Sequence, residues 1–513
     1  MWHIWKNPFG KMPSSSRSAS CLTADKKVAV VKKNSEGFVV QKSDILCSNT
    51  SRYLIQDFTG EGCFGKVAKC VNLITSQDVA LKILKTEDSV VTKREIKMLE
   101  VVSVLDPVKK NVVQFFEKFE HEGHTCLAFE MLDGSLFQLF KDRHWKPLSL
   151  SEIRPIAQQL LTAFDALKGI GVVHSDLKPD NIMLANHLHV PFRVKLIDFG
   201  VSFTTSEVTH GLVIQPLGYR APEVTLGLPI SEAIDMWGLG CVLAFLYLAD
   251  NLFATHCEYQ TMRGIVEILG QPADHLLCAG NNTHKYFKLN QHWDNPKWWL
   301  KTPREYQLDT GVAPKRWERS FKSLDDLITL HPEMQESIQL EDQTAFMSLL
   351  KGLLHTDPEK RITPERALKH PFITMAHLVD EMDTSLYVDN SFDKMLVCPM
   401  DDLEEELPPD GEDDEETKGE APSVPPRTNG AGSATLRSCD ITNMPRSNDG
   451  AAAAGVVDTT GSAEEESGAA SPAEETSAAD GSPDEGPPVK DKKSRLKRIR
   501  KFFGRAIRTL FAQ

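Results

Sequence analysis

The chain has 513 residues, 41% of them apolar, and a net charge of −14; that is enough for a bilobal core of about two to three hundred residues plus extensions. Its ten cysteines are scattered with no C-x-x-C pair, which sets aside metal clusters and a disulfide framework and leaves reduced thiols in a cytosolic or nuclear protein. The opening MWHIWKNPFGKM carries no long apolar stretch and no small-residue cleavage site, and the longest apolar-rich run, residues 238–249, is too short to span a bilayer, so neither a secretory signal nor a transmembrane segment is expected.

Residues 1–52 are polar and rich in Ser and Lys, apart from the valines around 28–31, and read as a loosely ordered leader. From Tyr53 the pattern becomes strand-like: two β-rich runs, around Phe58 and at 67–70, flank a glycine-rich turn, and a third run follows at 78–84. Ile96, Leu99, Val102 and Leu105 recur at helical spacing and predict a helix over 91–105. Residues 125–131 read as a short apolar strand. Beyond Ser149 the chain turns mostly helical. Ser151 and Arg154 are expected to open a helix whose inner face is Ile153, Ile156, Leu160, Leu161, Phe164 and Leu167. The order, a small β-rich N-lobe followed by a larger helical C-lobe, predicts an α+β bilobal fold. Residues 374–400 read as a linker. Residues 401–420 hold twelve acids against one Lys, and the Ala, Gly, Ser, Pro and Glu composition continues to 488. Such a stretch cannot bury enough apolar area to offset ordering entropy, so an acidic disordered tail is expected over 401–488.

Five motifs carry chemistry. The first is Gly60-Glu61-Gly62-Cys63-Phe64-Gly65-Lys66-Val67, preceded by Thr59. Alone, G-x-G-x-x-G is weak, but a dinucleotide fold would place it before a helix. Here strand residues follow Gly65, which suits a β-hairpin closing over the phosphates of ATP. Small residues let the backbone approach a triphosphate closely. Fifteen residues past Val67 comes Lys82, on a strand with apolar neighbours, placed to pair with the α- and β-phosphates. Glu95 on the next helix would hold it; Glu87 and Glu100 compete, but Glu95 sits best in register with Ile96 and Leu99.

The third motif is His174-Ser175-Asp176-Leu177-Lys178-Pro179-Asp180-Asn181. Asp176 would take the proton of a substrate hydroxyl, Lys178 would neutralise charge on the transferring phosphoryl, and Asn181 would ligate Mg²⁺, a hard cation that prefers oxygen. His174 reads as structural. Asp198, in Asp198-Phe199-Gly200 after an apolar strand, is the second metal ligand. Glu223, in Ala221-Pro222-Glu223, is expected to pair with buried Arg361, and Asp235 to hold the catalytic-loop backbone. Any one motif could be accidental; five in order are not.

With these residues in hand, residues of about 53–373 resemble a protein kinase domain of the CMGC group, and within it the homeodomain-interacting protein kinase family. The stretches that carry the likeness run from His124 to Leu132, from Asp176 to Leu184, from Leu226 to Trp237, and from Leu300 to Leu327. The resemblance implies that Phe129 is the gatekeeper and that backbone groups of Glu130 and Leu132 bond the adenine. It implies a serine/threonine kinase, marked by Lys178 two residues after Asp176, using ATP and Mg²⁺ on protein substrates, transcriptional regulators among them. Two departures stand out. Val213 takes the place of a self-phosphorylated activation-loop tyrosine, and Leu217 that of an arginine linked to a preference for proline after the target. Ser175 replaces an arginine found in many kinases. A loop phosphate would therefore lose a docking partner, and the loop is expected to be held by protein contacts.

Residues 489–513 read as a basic amphipathic helix, with Leu496, Ile499, Phe502, Phe503, Ala506, Ile507 and Leu510 on one face. It can lie on an anionic membrane, enter a calmodulin-like groove, serve an import receptor, or dock on the rest of its own chain. Direct nucleic-acid binding is not expected; the protein is expected in the nucleus, the cytoplasm or both. Two rival readings of the whole remain: a scaffold that keeps the fold without transfer, against which Lys82, Asp176, Asn181 and Asp198 argue, and a tether whose purpose is the basic helix.

Overall fold

A computed structural model describes residues 40–61, 65–84, 90–207, 212–290, 297–330, 337–381 and 384–399. Residues 1–39 of the leader expected over 1–52, Gly62, Cys63 and Phe64 of the glycine-rich turn, the acidic tail and the basic helix lie outside the described residues, while residues 40–52 are not a loose leader but carry the sheet strand Ile45–Cys47.

The first lobe is a six-stranded antiparallel sheet. Strands β1 (Ile45–Cys47), β2 (Arg52–Glu61), β3 (Gly65–Asn72) and β4 (Asp78–Leu84) are followed by helix α1 (Val90–Val102), then β5 (Phe115–His121) and β6 (His124–Glu130), in the spatial order β1-β2-β3-β4-β6-β5. The β period of two sorts the side chains. Val79, Leu81 and Ile83 of β4 join Tyr53, Ile55, Cys70 and Ala128 in a core on one face. Ala80 and Leu84 turn the other way, with Leu127 and Phe129, into the main core. Lys82 lies between Ala80 and Leu84 on that same face, so its position in the strand alone aims it at the space between the lobes. Helix α1 ends three residues before the expected 105. Ser103 turns its hydroxyl back on the Glu100 carbonyl at 2.7 Å, and Pro107 keeps the preceding residue out of the helical region.

The second lobe begins with α2 (Leu136–Asp142) and α3 (Leu150–Gly169), followed by β7 (Val172–Val173), β8 (Ile182–Leu184), β9 (Val194–Leu196) and β10 (Phe203–Thr204). The start of α3 differs from the expectation. Its cap is Ser149, not Ser151: the Glu152 carboxylate accepts from the Ser149 N–H at 2.8 Å and from its hydroxyl at 3.1 Å. Arg154 is instead buried in the helix, its guanidinium on the Asp342 carboxylate. The expected inner face from Ile153 to Leu167 is buried. Next come α4 (Pro222–Leu226), α5 (Ala233–Leu248) and α6 (Glu258–Leu269). Helix α5, which contains the long apolar run, is buried on nearly every side. Among the described residues no helix is long and apolar enough to cross a membrane.

An insert of α7 (Asp274–Ala279), α8 (Thr283–Tyr286), β11 (Phe287–Asn290), β12 (Lys297–Leu300) and α9 (Pro303–Thr310) builds its own apolar cluster with Leu226, Tyr259 and Met262. Then α10 (Ser337–Leu353), α11 (Pro364–Leu368) and α12 (Pro371–Thr374) complete the lobe. Of residues 374–400, expected as a linker, the described ones, 374–381 and 384–399, are folded. A 3-10 turn over Ala376–Glu381 leads to α13 (Leu386–Met395). Val388, Phe392 and Met395 recur at helical spacing and pack with Met375, Leu378 and Cys398. Polar ties fix the packing: His377 Nε2 lies 2.9 Å from Asp342, the Tyr387 hydroxyl donates to the same carboxylate, and Lys394 reaches the Ser151 hydroxyl at 3.1 Å.

Candidate active site

The β2–β3 hairpin pairs Gly60 with Val67 and Glu61 with Lys66, so the glycine-rich turn sits at a hairpin tip and not before a helix. Gly65 is required there by packing: a Cβ would lie 2.3 Å from the Ile83 carbonyl oxygen. Thr59 donates its hydroxyl to the Val67 carbonyl at 3.2 Å, and Lys66 lies over the Phe58 ring.

Lys82, in the middle of the sheet between Val67 and Leu127, pairs with Glu95 of α1. Both side chains are largely buried, 12% and 4% exposed. Of the two competitors, Glu100 is exposed and Glu87 lies outside the described residues. Burial works against the Lys82 charge, but the carboxylates of Glu95 and Asp198 outweigh it and raise its pKa. Lys82 therefore stays an ammonium between two carboxylates, a position suited to phosphate oxygens.

Asp235, in the first turn of α5, accepts from the N–H groups of His174 (2.7 Å) and Ser175 (2.8 Å). Ser175 takes a left-handed φ of +62°, and the loop turns there. His174 is buried; its Nε2 lies 3.0 Å from the Ile197 carbonyl, while Nδ1 accepts from the Asp176 N–H at 3.3 Å. It therefore ties the loop to the end of β9. Asp176 receives two donors on one oxygen, Lys178 Nζ at 2.7 Å and Asn181 Nδ2 at 2.8 Å. The Asn181 amide also holds the Asp176 carbonyl at 2.8 Å. One carboxylate oxygen is thereby fixed.

The β8–β9 hairpin pairs Ile182 with Leu196, and the Ile197 N–H donates to the Asn181 carbonyl. This register brings Asn181 and Asp198 to the same end of the hairpin, seventeen residues apart in sequence. Asp198 adopts a left-handed φ of +67°. Burial opposes its charge, yet Lys82 and His174 hold its carboxyl below the usual range. The donor set fits a hard divalent cation: one amide and one carboxylate, with no cluster of three or more His, Cys, Asp or Glu among the described residues that would form an all-protein cage. A cation held by so few side chains completes its shell with phosphate and water.

At the junction of the lobes, Phe129 pairs with Ala80 and Phe115. The Glu130 N–H donates to the Gln114 carbonyl, and its carboxylate takes the Gln114 N–H at 2.6 Å and Lys195 Nζ at 2.5 Å. Leu132 is buried. Below the site, Arg361 forms two bonds to Glu223, at 2.6 and 2.9 Å, with both side chains buried.

Some participants had no signal in the sequence. Lys195 on Glu130 is one. Gln215 is another: at φ +64° its side chain accepts from the Ala221 N–H and donates to the Ile234 carbonyl, each at 2.9 Å. Arg220 bonds the carbonyls of Ile214 and Gln215, so an arginine engages this backbone although Leu217 cannot. Val213 is 71% exposed. Ser202 and Tyr219 are buried and bonded, to the His174 carbonyl and to Asn251, which removes them from the hydroxyls open to phosphorylation in the folded protein.

Residues 53–373 match the protein kinase domain; the chain belongs to the protein kinase family. It is 41% identical over 363 residues to homeodomain-interacting protein kinase 1 of Mus musculus, covering 69% of this chain and 30% of that protein. Against homeodomain-interacting protein kinase 2 of Mesocricetus auratus it is 40% identical over 374 residues, 71% of this chain and 32% of the other. Against homeodomain-interacting protein kinase 4 of Homo sapiens it is 39% identical over 357 residues, 66% and 58%. The resemblance expected from the sequence is borne out, and the chain spans about a third of the length of the first two relatives.

Proposed function

We propose that this chain is a serine/threonine protein kinase that uses ATP and Mg²⁺. The observation that carries the reading is the pairing of Lys82 with Glu95 across from an Asp176 fixed by Lys178 and Asn181. In this reading the loop from Thr59 to Val67 covers the triphosphate, and backbone groups of Glu130 and Leu132 bond the adenine. Lys82 binds the α- and β-phosphates, and Glu95 keeps it aimed. Asp176 orients the substrate hydroxyl and receives its proton as oxygen attacks the γ-phosphorus. The bond to the β–γ bridging oxygen breaks, ADP leaves, and Lys178 offsets charge on the phosphoryl oxygens. Asn181 and Asp198 would hold Mg²⁺, which neutralises charge between the β- and γ-phosphates when bound.

The relatives are named for interacting with homeodomain proteins, which supports transcriptional regulators as substrates and a nuclear site of action. For residues 489–513 we keep import receptor, anionic membrane and calmodulin-like groove as competing partners; a fluorescent reporter fused to residues 488–513 that stays diffuse would discard the localisation readings.

The test is γ-phosphate transfer by the purified 513-residue protein with Mg²⁺ and ATP, beside Asp176→Asn, scored by phosphoamino-acid analysis. Phosphoserine or phosphothreonine that disappears in the variant is the expected result. A folded, ATP-binding protein that transfers nothing would overturn it in favour of a scaffold.

A further inference from the structure

Lys97 lies two residues beyond Glu95 on α1, and its ammonium pairs with the carboxylate of Glu207, 110 residues away. Glu207 closes the 3-10 turn Thr205–Glu207, which follows β10. That turn belongs to the second lobe. Strand β10 pairs with β7 just ahead of the catalytic loop, and the Thr205 N–H donates to the Gly171 carbonyl at 2.9 Å. The pair is thus a bridge between lobes, from the helix that carries Glu95 to the segment that begins at Asp198.

The same segment is fastened on its other side without a phosphate. Ser175 donates its hydroxyl to the Val201 carbonyl at 2.9 Å, and Ser202 returns one to the His174 carbonyl at 3.0 Å. These reciprocal bonds join the catalytic loop to the start of the activation segment at the place where an arginine would otherwise receive a loop phosphate. The tyrosine position is the exposed Val213.

We propose that Glu207 is a positioning residue that does with a fixed carboxylate what an activation-segment phosphate does by modification: it holds Lys97, and through α1 it keeps Glu95 on Lys82. The bond to Lys97, with the Thr204 N–H in support, holds the Glu207 carboxyl below the usual range, so the group is charged at neutral pH. Both side chains are about half exposed, 56% and 41%. A pair in that setting is modest and sensitive to salt, about two- to fivefold in the population of the competent arrangement.

The inference rests on the kinase reading, and its test separates the two. Full-length Lys97→Glu, Glu207→Lys and the doubly exchanged protein are compared with wild type at low and high ionic strength. All are treated with phosphatase beforehand and checked by intact mass and thermal melting. Two quantities are read: kcat for phosphate transfer and the affinity for a non-hydrolysable ATP analogue. Each single reversal is expected to lower kcat and nucleotide affinity two- to fivefold at low salt, with little change in Tm. The exchanged pair should recover most of both, and high salt should shrink the differences. Singles that match wild type, or an exchanged pair as poor as the singles, would overturn the proposal, as would a wild type that loses its activity with the phosphatase. If wild type binds nucleotide but transfers nothing even without phosphatase treatment, the kinase reading fails alone, and the clasp is judged on the affinity measurements.

Discussion

At the scale of single residues, the site is a set of charges each held by a named neighbour. Asp176 keeps one oxygen on Lys178 and Asn181, so Asp176→Asn removes the proposed proton acceptor while keeping the shape. We expect kcat to fall about 100-fold or more with nucleotide affinity nearly unchanged, as for loss of a general base; steady-state kinetics with ATP titration reads both. Gly65 has no room for a side chain beside the Ile83 carbonyl. Gly65→Ala must shift the hairpin, and a cost of about 1–3 kcal/mol is expected, visible as a lower Tm and a raised KM for ATP. Much at this scale was readable in sequence. Lys82 alternates with apolar neighbours on a strand, and the period of two decides which way it faces. Its partner was readable only as a preference for Glu95 over Glu100, because a helix register offers both until the helix is packed.

At the scale of elements, the clearest lesson is the segment after residue 374. Its apolar residues Val388, Phe392 and Met395 have helical spacing, yet the segment reads as a linker in sequence. What folds it is a surface from elsewhere: α3 and α10 present a buried carboxylate, Asp342, shared by Arg154, His377 and Tyr387. Burial disfavours that charge, yet Arg154 and the two other donors hold the Asp342 carboxyl below its ordinary value. A depressed carboxyl stabilises the fold above the ordinary Asp pKa, and that contribution is lost as pH falls through the depressed value. Asp342→Asn leaves Arg154 buried without its counter-charge, and a loss of about 3–5 kcal/mol at pH 7 is expected. The gap to wild type should narrow below about pH 4, which urea unfolding at the two pH values would show. Phe392→Ala, which opens a cavity under α13, should cost about 3–5 kcal/mol; an unchanged urea midpoint would mean that α13 is not packed in solution.

At the scale of the whole molecule, contacts between residues far apart in the chain hold the second lobe together and join it to the first. Glu223 and Arg361 are 138 residues apart and fully buried. Breaking such a pair by Arg361→Met should cost about 3–5 kcal/mol and show as a large drop in Tm with loss of activity. Lys97 and Glu207 bridge the lobes on the surface and should matter for rate far more than for stability. The order of motifs along the sequence foretold the two lobes and the pairing of Glu223 with Arg361. Nothing in the sequence foretold that a lysine on α1 meets a glutamate past Asp198, since neither position belongs to a motif.

The sequence by itself determined the family and marked the residues proposed to carry the chemistry, because phosphate transfer calls for particular side chains at short fixed spacings: Gly60 to Val67, Asp176 to Asn181, Asp198 to Gly200. It also determined which strand and helix faces turn inward, since those follow from periods of two and 3.6. Only the tertiary structure decided what holds the chemistry in place. The hydroxyls of Ser175 and Ser202 on the Val201 and His174 carbonyls, the bridge from Lys97 to Glu207, and the packed turn and helix after residue 374 all join residues distant in the chain. Each is set by how packed elements meet, and no local spacing encodes that meeting.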